Sequence, residues 1–100
     1  MKYTPELNIA EASINPVFLK FSATWCNPCK SYAPILTKAA EQLGMGIIEV
    51  DIDEYPDVAK QYGVRGVPST FIISNGAVVS SFSGVTTIPN IIKIVEGKNV

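Results

Sequence analysis

Residues 17–23 limit the fold more than any other part of the chain. Their sequence, VFLKFSA, is β-branched and aromatic and is apolar on nearly both faces of a strand. A strand of this kind has to be covered on both sides, so the run predicts a central strand of a sheet with helices on either face. Two cysteines, Cys26 and Cys29, follow it almost directly.

The apolar pattern of the rest of the chain predicts strands and helices in alternation. Over residues 28–43, before Gly44, apolar residues recur at intervals of three and four. This spacing predicts a helix, with Pro34 as a kink inside it. Asn75-Gly76 is a hairpin signal between two short strand patterns. The predicted elements are a strand at 2–4, a helical turn at 9–13, strands at 17–23 and 47–52, a helix at 56–62, strands at 70–73 and 77–82, and a helix at 88–96. Together they predict an α/β fold with a mixed sheet.

Length and charge exclude several classes of function. One hundred residues with 47% hydrophobic content can fill one core, which predicts a single domain over residues 1–100. The net charge of −1 gives no reason to expect nucleic acid or an anionic membrane as a partner. The first residues lack the apolar stretch of a secretory signal, and no run approaches the length of a membrane span. We therefore expect a cytoplasmic protein.

The segment Trp25-Cys26-Asn27-Pro28-Cys29 places a thiol between a strand and the start of a helix. Free backbone N–H groups and the positive end of the helix dipole favour a thiolate there, and the thiolate is the form that attacks disulfides. The second sulfur lies one turn further on, within reach of a mixed disulfide at the first. We predict that Cys26 is the nucleophile and that Cys29 resolves the intermediate.

Two other interpretations of the cysteines compete with this one. A structural zinc site needs about four ligands, and the chain has two cysteines and no histidine, so we expect no metal. The two cysteines could instead be inert members of the core, because free cysteine is often buried.

Several ordered motifs resemble the thioredoxin family. The run from Trp25 to Lys30 differs from the family's usual Trp-Cys-Gly-Pro-Cys-Lys only at Asn27, and Pro34, the run VDID at 50–53, the run YGVRGVPST at 62–70 and Gly84 follow in the family's order. The match covers about residues 17–96 and fits a small thioredoxin of the short or viral type. It implies the thioredoxin fold, a central mixed β-sheet of four to five strands flanked by helices on both faces.

The resemblance also implies a surface that receives a client protein. Val67-Pro68 would be a cis-proline loop opposite the cysteines, and the backbone of Val67 would pair with the client chain. The residues expected to bind substrate are Trp25, Asn27, Pro28, Val67, Pro68, Gly84 and Val85. Alternatives remain for two of them, since Trp25 could pack in the core and Gly84 could be only a turn glycine.

The chain departs from the family at two charged positions. Thioredoxins typically carry a buried aspartate where this chain has Lys20, and a lysine where it has Glu49. We predict that Lys20 and Glu49 face each other beneath the cysteines, because an unpaired lysine on a covered strand would be costly. Glu49 would accept the proton of Cys29 and Lys20 would favour its thiolate. The alternative is that Lys20 reaches solvent and Glu49 is exposed.

The predicted function is a thiol-disulfide oxidoreductase that reduces protein disulfides and needs no bound cofactor. The resemblance implies disulfide-containing client proteins, a flavin- and NADPH-dependent thioredoxin reductase as electron donor, and a monomer. Two alternatives stay open: a more oxidising, glutaredoxin-like redoxin, and a thioredoxin-fold subunit that binds a partner without thiol chemistry.

Overall fold

The computed structural model describes residues 1–97. Residues 98–100 of the predicted domain lie outside the described residues. Within residues 1–97 the chain forms four helices and four strands, in the order α1 (Ile9–Ala12), β1 (Val17–Ser22), α2 (Asn27–Leu43), β2 (Gly46–Asp51), α3 (Pro56–Gln61), β3 (Ser69–Ser74), β4 (Ala77–Ser83) and α4 (Ile88–Gly97).

The four strands form one mixed sheet in the order β2-β1-β3-β4. Strand β1 runs parallel to β2 and antiparallel to β3, and β3 and β4 form an antiparallel hairpin. Strand β1 is therefore central, and residues 17–21 are all buried. The prediction of a mixed sheet around a central strand at this position is confirmed.

Helices cover both faces of the sheet. On one face, α2 and α4 pack on the side chains of β1 and β3 that include Phe18 and Ile72. On the other face, α1 and α3 contribute to a second apolar cluster around Leu19 and Phe21. Alternate residues of β1 thus belong to different cores, which is why nearly the whole run is apolar. Lys20 shares the α2 face with Phe18, because the two are two positions apart on the strand.

Glycines and asparagine set the turns as the sequence predicts. Asn75 and Gly76 have φ values of 53° and 78°, the left-handed geometry that a two-residue hairpin turn requires. Helix α2 ends at Leu43, and its C-cap Gly44 is also left-handed, with φ 67°. The Gly76 turn also contacts α1: its N–H donates to Ser13 Oγ at 2.8 Å, and a Cβ at Gly76 would lie 2.9 Å from Ala10 Cβ.

The predicted strand at residues 2–4 is wrong. Only Lys2 forms a bridge, parallel to Glu49, next to β2. Pairing stops because Pro5 has no N–H and because the Leu7 N–H donates to the Thr4 carbonyl, which turns the chain away from the sheet. The predicted helical turn that follows is present as α1, capped by the Asn8 side chain.

Several predicted boundaries differ by one residue or so. Helix α2 begins at Asn27 and not at residue 28, because Cys26 is its cap. Strand β1 ends one residue early, at Ser22, and α3 ends at Gln61. Pro34 does lie inside α2, and the kink predicted there stays a prediction.

Candidate active site

The two cysteines lie at the first turn of α2, immediately beyond the carboxyl end of β1. Cys26 is the N-cap residue, with extended backbone angles, and its Sγ accepts a hydrogen bond from the Cys29 N–H at 3.2 Å. Cys26 and Cys29 form a disulfide whose Cα atoms are 5.3 Å apart. Both are almost fully buried. The helix N-terminus thus points an amide donor at the sulfur that we predict to be the nucleophile.

The loop before β3 closes the site from the opposite side. The Val67-Pro68 peptide bond is cis, as the resemblance implies. Cys26 Sγ lies 3.7 Å from the Val67 carbonyl oxygen, and Val67 packs on the small cluster formed by Ala23 and the two cysteines. This contact joins residues 41 apart in sequence, so only the fold brings them together.

A third segment adjoins the proline loop. The Gly84 N–H donates to the Pro68 carbonyl at 2.9 Å, and Gly84 has φ 79°. Val85, the next residue, is 46% exposed. Since Pro68 follows Val67, Gly84 adjoins the loop whose Val67 carbonyl contacts Cys26.

Trp25 lies at the edge of the site and is not part of the core. Its side chain is 64% exposed, which contradicts the core-packing alternative, and its Nε1 donates to Asp53 Oδ2 at 2.7 Å. Asn27 and Pro28 are also exposed. Sequence reasoning assigned no role to Asp53. The order of the elements held a signal for Asp53: parallel strands β1 and β2 end at the same edge of the sheet, so the residues that follow them, 25 and 53, come close together.

Lys20 and Glu49 form a salt bridge on the α2 side of the sheet. Their Cα atoms are direct partners in the β1–β2 register, and Nζ and Oε2 are 2.7 Å apart. The Lys20 side chain is 6% exposed and that of Glu49 is 35% exposed. The solvent-reaching alternative for Lys20 is therefore wrong, and the charge-reversed pair is present.

A cavity of about 240 Å³ connects this ion pair with the active site. Lys20, Glu49, Asp51 and Cys29 all line it. Sequence reasoning did not single out Asp51 as a site residue. One of its carboxylate oxygens accepts hydrogen bonds from the N–H groups of Asp53 and Glu54, at 2.8 and 3.3 Å, and so shapes the turn that carries Asp53.

Two features of residues 1–97 bear on other functions. No group of three or more His, Cys, Asp or Glu side chains there is arranged to hold a metal ion. No helix in the same range is long and apolar enough to cross a membrane. The chemistry that the site does offer is exchange between a dithiol and a disulfide, at a sulfur held at a helix N-terminus.

Comparisons with known proteins agree with this geometry. The family model described as "Thioredoxin" matches residues 4–97. The chain is 38% identical to "Thioredoxin 1" of Synechococcus elongatus in an alignment 87 positions long that covers 82% of this chain and 80% of that protein. It is 35% identical to "Thioredoxin" of Bacillus subtilis in an alignment 86 positions long that covers 84% of this chain and 83% of that one. The solved structure of a mutant thioredoxin from Halobacterium salinarum superposes with a TM-score of 0.85 at 28% identity, covering 100% of this chain and 88% of that one.

Proposed function

We propose, from the premise that the chain belongs to the thioredoxin family and is a thiol-disulfide oxidoreductase, that it works as a general reductant of disulfides in client proteins. The observation that carries this proposal is Cys26 as the cap of α2, with an amide N–H donating to its sulfur. A donor held in place by the helix stabilises the thiolate that reduction produces.

The reaction consists of two exchanges. The Cys26 thiolate attacks one sulfur of the client disulfide, the client's other sulfur leaves as a thiolate, and a mixed disulfide forms. The Cys29 thiolate then attacks Cys26 Sγ, which releases the second client sulfur and forms the Cys26–Cys29 disulfide. Two electrons have passed to the client.

Members of this family act with disulfide substrates and thioredoxin reductases, and we propose a flavin- and NADPH-dependent reductase as the donor that returns the two electrons.

The client is proposed to contact the exposed surface around Cys26. Trp25, Asn27 and Pro28 border the cysteines on one side, and Val85 adds an exposed apolar side chain on the other. Between them, the backbone of Val67 is proposed to pair with an extended client segment, together with Pro68 and Gly84. The support for this surface is a pair of contacts: Cys26 Sγ lies 3.7 Å from the Val67 carbonyl oxygen, and the Pro68 carbonyl accepts a hydrogen bond from the Gly84 N–H.

Trapping tests the division of roles between the cysteines. In a Cys29→Ser variant the mixed disulfide at Cys26 has no resolving thiol. We therefore expect stable client adducts that appear on non-reducing gels and disappear when dithiothreitol is added. The Cys26→Ser variant is the matched control and is expected to trap none. Equal trapping by both variants would overturn the assignment. A double Cys26→Ser, Cys29→Ser variant that keeps full biological function would favour the partner-binding alternative.

Glu49 is proposed to accept the proton that Cys29 loses before it attacks the mixed disulfide. It shares the cavity with Cys29, and its side chain is exposed enough to pass a proton on to solvent. Lys20 is proposed to hold that carboxylate in place through the salt bridge and to favour the Cys29 thiolate.

The pH profile of resolution tests the role of Glu49. The rate at which a preformed mixed disulfide resolves is measured in single turnovers between about pH 6 and 9, the range in which thiols titrate. We expect Glu49→Gln to slow resolution and to alter its pH profile, and Glu41→Gln, which removes an exposed carboxylate of α2, to leave both unchanged. An unchanged profile in Glu49→Gln would refute the proton role.

We also propose that the protein works in the cytoplasm, because a dithiol reductant requires a reducing compartment. Cell fractionation combined with alkylation of thiols tests this: the protein is expected in the cytoplasmic fraction with Cys26 and Cys29 largely reduced. Recovery mainly as the disulfide, or in another compartment, would contradict it.

A further inference from the structure

A second groove lies next to the proline loop, on the sheet face opposite α2. Its volume is about 570 Å³. Ser69 is paired with Ser83 across the β3–β4 hairpin and Phe71 is paired with Ser81, so these four side chains share one face. Helix α3 packs against β2 on this side of the sheet. Arg65 and Gly66 border the groove from the loop that follows α3.

The groove can offer hydrogen-bond donors and a positive charge. Arg65 is exposed, and no carboxylate within residues 1–97 lies at salt-bridge distance from it. Ser81 and Ser83 are exposed as well, whereas the Ser69 hydroxyl donates to the Gly66 carbonyl at 2.7 Å. Among the described residues that line the groove, none is acidic. A guanidinium beside hydroxyls is a setting that favours a carboxylate.

The groove is continuous with the surface proposed to bind clients. Arg65 precedes Val67 by two residues, and the Val67 carbonyl lies 3.7 Å from Cys26 Sγ. At the other end of the groove, Ser83 precedes Gly84, whose N–H donates a hydrogen bond to the Pro68 carbonyl. An extended segment rises about 3.3 Å per residue, so a client segment that runs alongside residues 65–67 would reach Arg65 roughly two or three residues from the cysteine held at Cys26.

An exposed carboxylate lies beside Trp25, on the other side of the cysteines. Asp53 is bonded to Trp25 there, and Asp51 and Glu54 are its neighbours. A client carboxylate would be repelled by Asp53 and attracted by Arg65. Lys2, Lys20 and Lys30 line the cavity on the Trp25 side, so the repulsion there is local to Asp53.

We propose that the groove binds an acidic segment of the client chain, two or three residues from the cysteine under attack, and that Arg65 is the residue that selects for it. The Arg65 guanidinium donates to the client carboxylate, and the exposed hydroxyls of Ser81 and Ser83 add donors along the same face. This inference rests on the proposed function, because it concerns the clients of the same site.

The test compares two disulfide-linked, fluorescence-quenched peptides with dithiothreitol as the electron donor. One carries glutamates two and three residues from each cysteine, and the other carries glutamines there. For the native protein we expect kcat/KM to be about three to ten times higher for the glutamate peptide, mostly through KM, and the ratio to fall at high salt. Arg65→Gln is expected to bring the ratio close to one, and Arg65→Glu to invert it. Lys38→Gln, which removes an exposed charge from α2, is the matched control and should keep the native ratio.

The outcomes separate this inference from the function on which it rests. If the native protein does not accelerate reduction of an uncharged small disulfide, bis(2-hydroxyethyl) disulfide, the proposed reductase function fails. If it does, but Arg65→Gln keeps the native preference for glutamate or the native protein shows none, the acidic-client inference is overturned. A second readout uses the mixed disulfide trapped on Cys29→Ser. The glutamate peptide is expected to shift the amide resonances of Ser81 and Ser83 more than the glutamine peptide does, and equal shifts would also overturn it.

Discussion

The ion pair beneath the cysteines predicts an asymmetry in stability between its two members. Glu49→Gln leaves Lys20, with only 6% of its side chain exposed, buried without a carboxylate partner. Lys20→Met leaves Glu49, whose side chain is 35% exposed, in contact with water, and it fills the buried position with an apolar side chain of similar length. We expect Glu49→Gln to be the more destabilising change, because an unpaired charge costs most where water cannot reach it.

The difference should be large enough to measure. Removing one partner of a fully buried pair costs about 3–5 kcal/mol, and the partial exposure of Glu49 reduces this to about 2–3 kcal/mol for Glu49→Gln. For Lys20→Met we expect a change of about 1 kcal/mol or less in either direction, since the Glu49 carboxylate that is left behind is 35% exposed and stays hydrated. The double variant should recover about 2 kcal/mol relative to Glu49→Gln, because it no longer contains a buried, unpaired lysine.

Urea unfolding at pH 7 of the oxidised proteins measures these differences without interference from thiol chemistry. With a slope of about 1–1.5 kcal/mol/M, typical of a chain this size, Glu49→Gln should lower the midpoint by roughly 2 M. Glu41→Gln serves as the surface control and should change stability by about 0.5 kcal/mol at most. The reasoning is refuted if Lys20→Met destabilises as much as Glu49→Gln, or if the double variant is less stable than Glu49→Gln.

Two further predictions concern the core and the hairpin. Burial raises the pKa of Tyr32 to about 12, against the lowering effect of its hydrogen bond to Thr70. The stability that comes from keeping this phenol neutral in the folded state is therefore complete below about pH 10 and is lost as the pH rises towards 12. Tyr32→Phe should show a shallower fall in the urea midpoint between about pH 9 and 12. In Gly76→Ala the new Cβ would lie 2.9 Å from Ala10 Cβ, on a backbone with positive φ. We expect the free energy of unfolding, measured with heat or urea, to fall by about 2–3 kcal/mol for Gly76→Ala and by about 1 kcal/mol for Gly63→Ala, where φ is also positive but the space is open. Equal losses in the two variants would contradict this explanation.

Local patterns were enough to predict the elements near the active site. The apolar run at 17–23, the helical spacing after Cys26 and the Asn75-Gly76 turn each depend on a few neighbouring residues. The prediction failed at residues 2–4, where one bridge forms in place of a strand, because the turn after Pro5 ends the pairing. Whether a short polar segment pairs depends on the edge it meets, which the segment itself does not encode.

The sequence by itself determined the chemistry: two cysteines one helical turn apart, the first at the start of a helix and the second within reach of it. It also placed a lysine where burial would demand a partner, and comparison with a family pattern identified that partner as Glu49. The family resemblance placed the Val67-Pro68 loop opposite the cysteines, whereas only the tertiary structure decided the contact of Trp25 with Asp53 and the groove between Arg65 and β4. Periodicity records which face of an element is buried, whereas the register between strands and the approach of loops follow from how whole elements pack, and no short stretch of residues specifies that.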